Sequence, residues 1–183
     1  YIAHAAPHSP MQGPHEKAIR TEATPEGDKN SDRSNKEIYK DMVEELDWSV
    51  GRILETLKKY KLDENTFVVF FSDNGPVINN GGSAGGYKGA KGSPWEGGHR
   101  VPGICYMPGT IKEGTTCEQT VMSFDLFPTM LDMADIHYND SKKKLDGTSL
   151  VPLFKGENLA PRLLFWGNGN KTISVRDGKW KLV

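Results

Sequence analysis

The sequence predicts an α/β fold, a mostly parallel sheet flanked by helices with the beginning of a small antiparallel unit at its carboxyl end. Three observations carry that expectation. Ile38, Met42, Val43, Leu46, Val50, Ile53, Leu54 and Leu57 recur at helical spacing. Two short apolar runs, "TFVVFFS" and "VPGICYMPG", read as strands. A second helical stretch, "SFDLFPTMLDMADI", completes the order helix, strand, loop, strand, helix, which is an α/β signature.

Taken in order, residues 1–35 open with a short apolar piece and turn rich in Pro, Gly, His and charge, with "TPEGDKNSDRSN" reading as an exposed loop. Ser34 followed three positions later by Glu37 forms a capping box, so the long amphipathic helix starts there and ends near Tyr60. After the turn "KLDEN", residues 66–72 are continuously apolar, as in a strand buried on both faces. Nine glycines between Gly75 and Gly98 exclude regular structure, yet the interleaved Tyr87, Lys88, Lys91, Trp95 and Glu96 do not suit a linker. A long ordered loop beside a sheet is a candidate binding loop. In the second helix Ser123 is the expected cap, and Pro128 is tolerated in or near the first turn. From about Phe165 onward short strands begin. The expected division is therefore an α/β domain over residues 1–164 and a smaller antiparallel unit from 165 to 183.

Bulk properties exclude little. A net charge of -1, a pI near 6.6 and 26% charged residues over 183 positions call for no nucleic-acid or membrane partner. Cys105 and Cys117 lie in no metal-ligand spacing, and pairing and freedom both stay open. The chain opens at Tyr1 without an initiator Met or signal peptide and closes at Val183 within a strand-like alternation, so it reads as part of a longer polypeptide. Asn139-Asp140-Ser141 and Asn170-Lys171-Thr172 fit the glycosylation sequon, a pattern common by chance.

Three places could carry chemistry. Asp73 and Asn74 end the first strand, and in open α/β sheets ligands collect at strand carboxyl ends. Their oxygens suit a hard cation such as Ca²⁺ or Mg²⁺ better than zinc. Asp-Asn-Gly is also a favoured turn sequence, and spacing alone leaves both readings open. On the glycine-rich tract, Lys88 and Lys91 could hold an anion near accessible backbone N–H groups, although neither known phosphate-loop pattern is present. Finally, Pro7 and Pro10 bracket His8 on a stiff backbone, which suits a general acid or an anion contact; His4 and His15 stand nearby.

Together these segments resemble the sulfatase family of the alkaline-phosphatase superfamily. The matching stretches keep the family's order: "APHSP", "YKDMVEELDWSVGRILETLKK", "VVFFSDNG", "GAKGSPWEGGHRVPGICYMPG", "MSFDLFPTMLDMADI", "LDGTSLVPLFKG" and "SVRDGKWKLV". The resemblance implies a hydrolase of sulfate esters. It makes Asp73 and Asn74 ligands of a divalent cation, usually Ca²⁺ with Mg²⁺ as the alternative. It gives Lys91 a contact to the sulfate group, and His8 a contact to the bridging oxygen or the proton for the departing alcohol. His15, Lys88, Glu96 and His99 are expected to shape or support the pocket. The family's nucleophile, a formylglycine made from the C/S-x-P-x-R motif, has no counterpart here, since "YMPG" follows Cys105 and "EQTV" follows Cys117. It is expected in an N-terminal half with further metal ligands, so the segment alone is expected to be inactive.

The substrate implied is a sulfated carbohydrate or an aryl sulfate, and Trp95 and Tyr87 could stack on a ring or serve as the loop's own packing. The resemblance also implies a secreted, periplasmic or lysosomal protein. Two other readings stay open, a phosphatase or phosphonate-ester hydrolase of the same superfamily and an inactive homologue that binds sulfated glycan. Asn74 argues against the first, because relatives that handle phosphoryl groups commonly carry Asp-His there, with a softer metal.

Overall fold

The computed structural model describes residues 1–16, 32–139, 143–167 and 172–183, and within these the chain forms two compact units. Both sequons, and residues 24–31 of the expected exposed loop, fall on or across positions outside the described residues.

The first unit comprises residues 1–61 and 71–102. Its main element is helix α1, Asn35–Lys59. The expected capping box is present: the Ser34 hydroxyl accepts from the Glu37 N–H, and the Glu37 carboxylate accepts from the Ser34 N–H at 2.8 Å. Glu37 in the first turn and Lys58 and Lys59 in the last complement the helix dipole. Ile38 and Met42 are buried, whereas Val43 is exposed, so only part of the predicted apolar stripe is covered within this chain. The unit also holds the amino-terminal segment and the glycine-rich loop, which includes the four-residue helix α2, Glu96–His99.

The second unit comprises residues 62–70 and 103–183. Strands β1, Val68–Phe71, and β2, Gly103–Tyr106, pair as a two-stranded sheet. β1 is shorter than residues 66–72, and its residues are half-buried or exposed rather than buried on both faces. Two strands among the described residues cannot enclose one another as the central strands of a wide sheet do. Phe67, just before β1, packs at 5.6 Å against Phe154 of helix α4, Val151–Phe154.

Helix α3, Leu126–Met133, corrects one expectation. Ser123 is not its cap; it lies in a 3₁₀ turn, Ser123–Asp125, and Asp125 takes the N-cap position of α3, its carboxylate turned back to the Met122 N–H rather than to the helix's own N–H groups. Asp125 is fully buried and accepts from the N–H of Met122 at 2.7 Å and of Thr148 at 3.0 Å. Arg162 closes a two-pronged pair on it, with Nη1 2.6 Å from Oδ1. A hydroxyl could not accept from all four of these donors at once; a buried carboxylate can. Thr129, one turn on, accepts from the Leu150 N–H at 2.9 Å and donates to the Asp125 carbonyl at 2.6 Å, tying α3 to the chain that enters α4.

Strands β3, Leu163–Gly167, β4, Ile173–Asp177, and β5, Trp180–Leu182, form an antiparallel sheet in sequential order. The register pairs Phe165 with Val175 and Val175 with Leu182, so the run expected as strand-like at the carboxyl end is a hairpin turning at Gly178. Leu164 and Ser174 are buried on one face, while Leu163, Phe165, Ile173 and Leu182 stay exposed on the other.

Candidate active site

Asp73, Asn74, Lys91 and His8 all lie in the first unit. The chain leaves β1 at Phe71, and the Ser72 hydroxyl donates to the Asn74 carbonyl at 2.9 Å, so Asp73 and Asn74 sit in a tight bend. The next residue explains how the bend is held. The Gly75 N–H donates to the Gly98 carbonyl at 2.8 Å, and a Cβ on Gly75 would stand 1.9 Å from the Gly97 carbonyl oxygen. Only glycine permits that approach.

The loop repeats the device on itself. The Gly97 N–H donates to Lys88 at 2.8 Å, and a Cβ on Gly97 would lie 2.2 Å from the Gly89 carbonyl oxygen. Most telling for chemistry, the Lys91 N–H donates to the Pro76 carbonyl at 3.0 Å, two residues past Asn74. Backbone bonds thus bring the loop that carries Lys91 against the segment that carries Asp73 and Asn74. The turn reading and the ligand reading of Asp-Asn-Gly are compatible: the backbone makes the turn, and among the described residues the two side chains take no hydrogen-bond or ion-pair partner.

That division of labour extends along the loop. Lys88 lies over the Trp95 ring at 3.7 Å, and Arg100 lies over the Tyr87 ring at 4.6 Å. Glu96 stands 3.9 Å from Arg100, and His99 Nε2 is 3.1 Å from the Pro94 carbonyl. The two aromatic faces are therefore taken by the loop's own cations. By contrast, among the described residues no hydrogen bond or ion pair engages the side chains of Asp73, Asn74 or Lys91. A carboxylate, an amide and an ammonium left unpaired beside a heavily bonded scaffold form a set available to a ligand.

His8 is exposed on the amino-terminal segment, where its N–H donates to the Ala5 carbonyl at 2.8 Å. Nδ1 lies 2.9 Å from the Ser9 carbonyl, which can only accept, so Nδ1 carries a hydrogen and Nε2 is the atom left to exchange a proton. His15 is 3.9 Å from Asp41, and His4 makes no contact with the other candidates among the described residues. Among the described residues no three His, Cys, Asp or Glu side chains gather as a metal-holding group. Asp73 and Asn74 fit a hard cation by donor type, two oxygens with one negative charge, and supply two ligands of the six to eight such an ion takes.

Sequence reasoning missed the buried carboxylates of Asp125 and of Glu16, whose side chain is 1% exposed. Nothing local marks either one, since each is specified by an arginine distant in sequence, Arg162 and Arg33 respectively. Both cysteines are free, and burial pushes the Cys105 thiol above its ordinary range. No helix among the described residues is long and apolar enough to cross a membrane.

The glycine contacts yield one expectation. Gly75→Ala forces a Cβ against the Gly97 carbonyl and should release the loop at a cost of about 1–3 kcal/mol. Faster amide exchange at Lys91 and Gly98 would register it; unchanged protection there would show that the Gly75–Gly98 contact does not hold the loop.

Comparison with known proteins identifies the family. The family model described as Sulfatase matches residues 1–136. N-acetylgalactosamine-6-sulfatase of Canis lupus familiaris is 39% identical over 147 residues, 78% of this chain and 28% of that protein. Steryl-sulfatase of Homo sapiens is 38% identical over 134 residues, 69% of this chain and 23% of that protein. The chain thus spans about a quarter of the length of these curated relatives. Among solved structures, Ps i-CgsB in complex with k-i-k-neocarrahexaose superposes with a TM-score of 0.78 at 31% identity, covering 96% of this chain and 38% of that one. PsFucS1 sulfatase from Pseudoalteromonas sp. gives 0.71 at 27% identity, over 78% of this chain and 30% of its own. With the family model spanning well over half of its length, this chain belongs to the sulfatase family.

Proposed function

We propose that this chain supplies one part of the active site of a sulfuric ester hydrolase acting on a sulfated carbohydrate. The observation that carries the reading is that the Gly75–Gly98 and Lys91–Pro76 backbone bonds bring the loop of Lys91 to the segment of Asp73 and Asn74, and that these three side chains make no hydrogen bond or ion pair among the described residues. Relatives support the substrate class: one solved structure holds a neocarrahexaose and another D-glucosamine-2-N,6-O-disulfate. The nucleophile and the remaining cation ligands come from elsewhere in a longer protein, and these 183 residues alone turn over no sulfate ester. On this reading β1 and β2 belong to a mostly parallel sheet, with residues 1–164 in the catalytic domain and 165–183 opening a smaller antiparallel one.

Each side chain has a distinct task. Asp73 and Asn74 hold the divalent cation, Ca²⁺ by the hardness of their oxygens, and Asn74 does so without adding a second anion. When bound, that ion supplies positive charge against the sulfate oxygens. Lys91 places an ammonium on the same group, where the charge need not reorganise during reaction. His8 delivers a proton from Nε2 to the departing alcohol oxygen. The proton matters because a sugar alkoxide is a poor leaving group.

The test uses the whole protein and inorganic sulfate release from 4-nitrophenyl sulfate and from 6-O-sulfated N-acetylgalactosamine. Lys91→Ala should lower kcat/KM on both by about 100-fold or more, as loss of one charge-stabilising donor does. His8→Ala should cost about 100-fold on the sugar ester and far less on the nitrophenyl ester, whose phenolate departs without a proton. Equal penalties on the two esters would remove the acid role from His8. Phosphate release from 4-nitrophenyl phosphate with none from either sulfate would replace this reading by the phosphatase one.

A further inference from the structure

A partly buried ion-pair network outside the candidate site joins the His8 segment to α1. The Glu16 carboxylate, nearly excluded from solvent, accepts from the Gly13 N–H at 2.8 Å and from Arg33 Nη1 at 2.9 Å. Arg33 Nη2 reaches Asp41 Oδ2 on α1 at 2.7 Å, and His15 Nε2 lies 3.9 Å from the same oxygen. Arg33, by its hydrogen bond above all, holds the Asp41 carboxyl below its usual range, while Asp41 raises Arg33. The backbone at Gly13 is pressed onto the helix as well, for a Cβ there would stand 3.2 Å from the Asp41 Cβ and 3.0 Å from a Glu16 carboxylate oxygen.

The same turns of α1 touch the glycine-rich loop. A Cβ on Gly81 would lie 2.9 Å from the Lys36 Cα, and one on Gly82 would lie 3.4 Å from the Tyr39 hydroxyl. Between Lys36 and Asp41, therefore, one rigid helix carries the loop of Lys91 on one side and the anchor of the His8 segment on another. From Gly13 back to His8 the chain is short and passes through Pro10, so displacement of the anchor is transmitted rather than absorbed.

We infer that Asp41, acting through Arg33 and Glu16, is a positioning residue that fixes where His8 stands relative to the loop of Lys91. Burying a carboxylate such as Glu16 is costly, and a buried ion pair is weak evidence of stabilisation. Its consequence here is geometric: one planar guanidinium, with Nη1 on Glu16 and Nη2 on Asp41, bridges the segment to the helix and sets one register between them. The inference rests on the acid role proposed for His8, so its test must separate the two.

The experiment compares Asp41→Asn, His8→Ala and the double variant in the whole protein, using the same sugar and nitrophenyl sulfates. Asp41→Asn should lower kcat on the sugar ester by about 10- to 100-fold, the range that a misplacement of around an ångström produces. KM should change little, and the nitrophenyl ester should be nearly spared, because only a step that needs the His8 proton is affected. In the His8→Ala background, Asp41→Asn should cost nothing further. A loss that is equal on the two esters, or that persists undiminished when His8 is absent, overturns the positioning role while leaving His8 as the acid. Full activity of His8→Ala on the sugar ester overturns both. Should Asp41→Asn fail to fold, Arg33→Lys, which keeps the charge and loses the fork, is read against the same criteria.

Discussion

Asp73→Ala, made in the whole protein, should abolish most sulfate-ester turnover, lowering kcat/KM by about 1,000-fold or more, and should lower the calcium retained after dialysis in the same preparation. Its carboxylate is the one full negative charge in the Asp73–Asn74 pair, and it stands unpaired among the described residues. Asn74→Asp separates ligation from charge. It keeps an oxygen at the position and adds an anion, so calcium should bind at least as tightly while turnover falls, the added charge cancelling part of what the cation offers to the sulfate. Atomic absorption on the dialysed protein, read beside kcat, measures both. An Asp73→Ala protein that kept its calcium and stayed within about twofold of wild-type activity would remove Asp73 from the metal site.

The largest effect on stability is expected at Asp125. It is fully buried and serves four donors, the N–H groups of Met122 and Thr148 and both prongs of Arg162. Asp125→Ala leaves a partly buried guanidinium and two amides without their acceptor, at a cost of about 3–5 kcal/mol, while Asp125→Asn should lose part of that because an amide oxygen still accepts. Urea unfolding with an unchanged slope would report the loss as stability rather than as a change in compactness. Joining Asp125→Leu to Arg162→Met should destabilise less than Asp125→Leu alone, since it removes the stranded charge. If the double variant were worse by the sum of the two single losses, the pair would not be acting as a unit.

The two carboxylates show where legibility from sequence ends. Asp73 was visible because its neighbours announce it: a strand stops, Asn and Gly follow, and a glycine-rich tract begins. Asp125 stands within an apolar helical stretch, and local reasoning assigned the cap to Ser123 two residues earlier. The assignment failed because the donors that fix Asp125 come from Thr148 and Arg162, 23 and 37 residues away. Trp95 and Tyr87 were open to two uses, and Lys88 and Arg100 settle over their faces only once the loop has closed.

By itself the sequence determined what is local in its physics. A capping box and an apolar period specify α1, a β-branched run specifies β1, and the spacing of motifs specifies the family. Oxygen donors at a strand end specify the kind of ion they could hold. What only the tertiary structure decided is which side chains are left over for chemistry. Lys88 and Lys91 are indistinguishable by type and three residues apart, yet one lies over Trp95, while the other makes no hydrogen bond or ion pair by its side chain among the described residues and its backbone is bonded to Pro76, next to the segment of Asp73 and Asn74. That choice depends on backbone contacts too close for any residue but glycine, Gly75 on Gly97 and Gly97 on Gly89, and such distances exist only after the loop has folded.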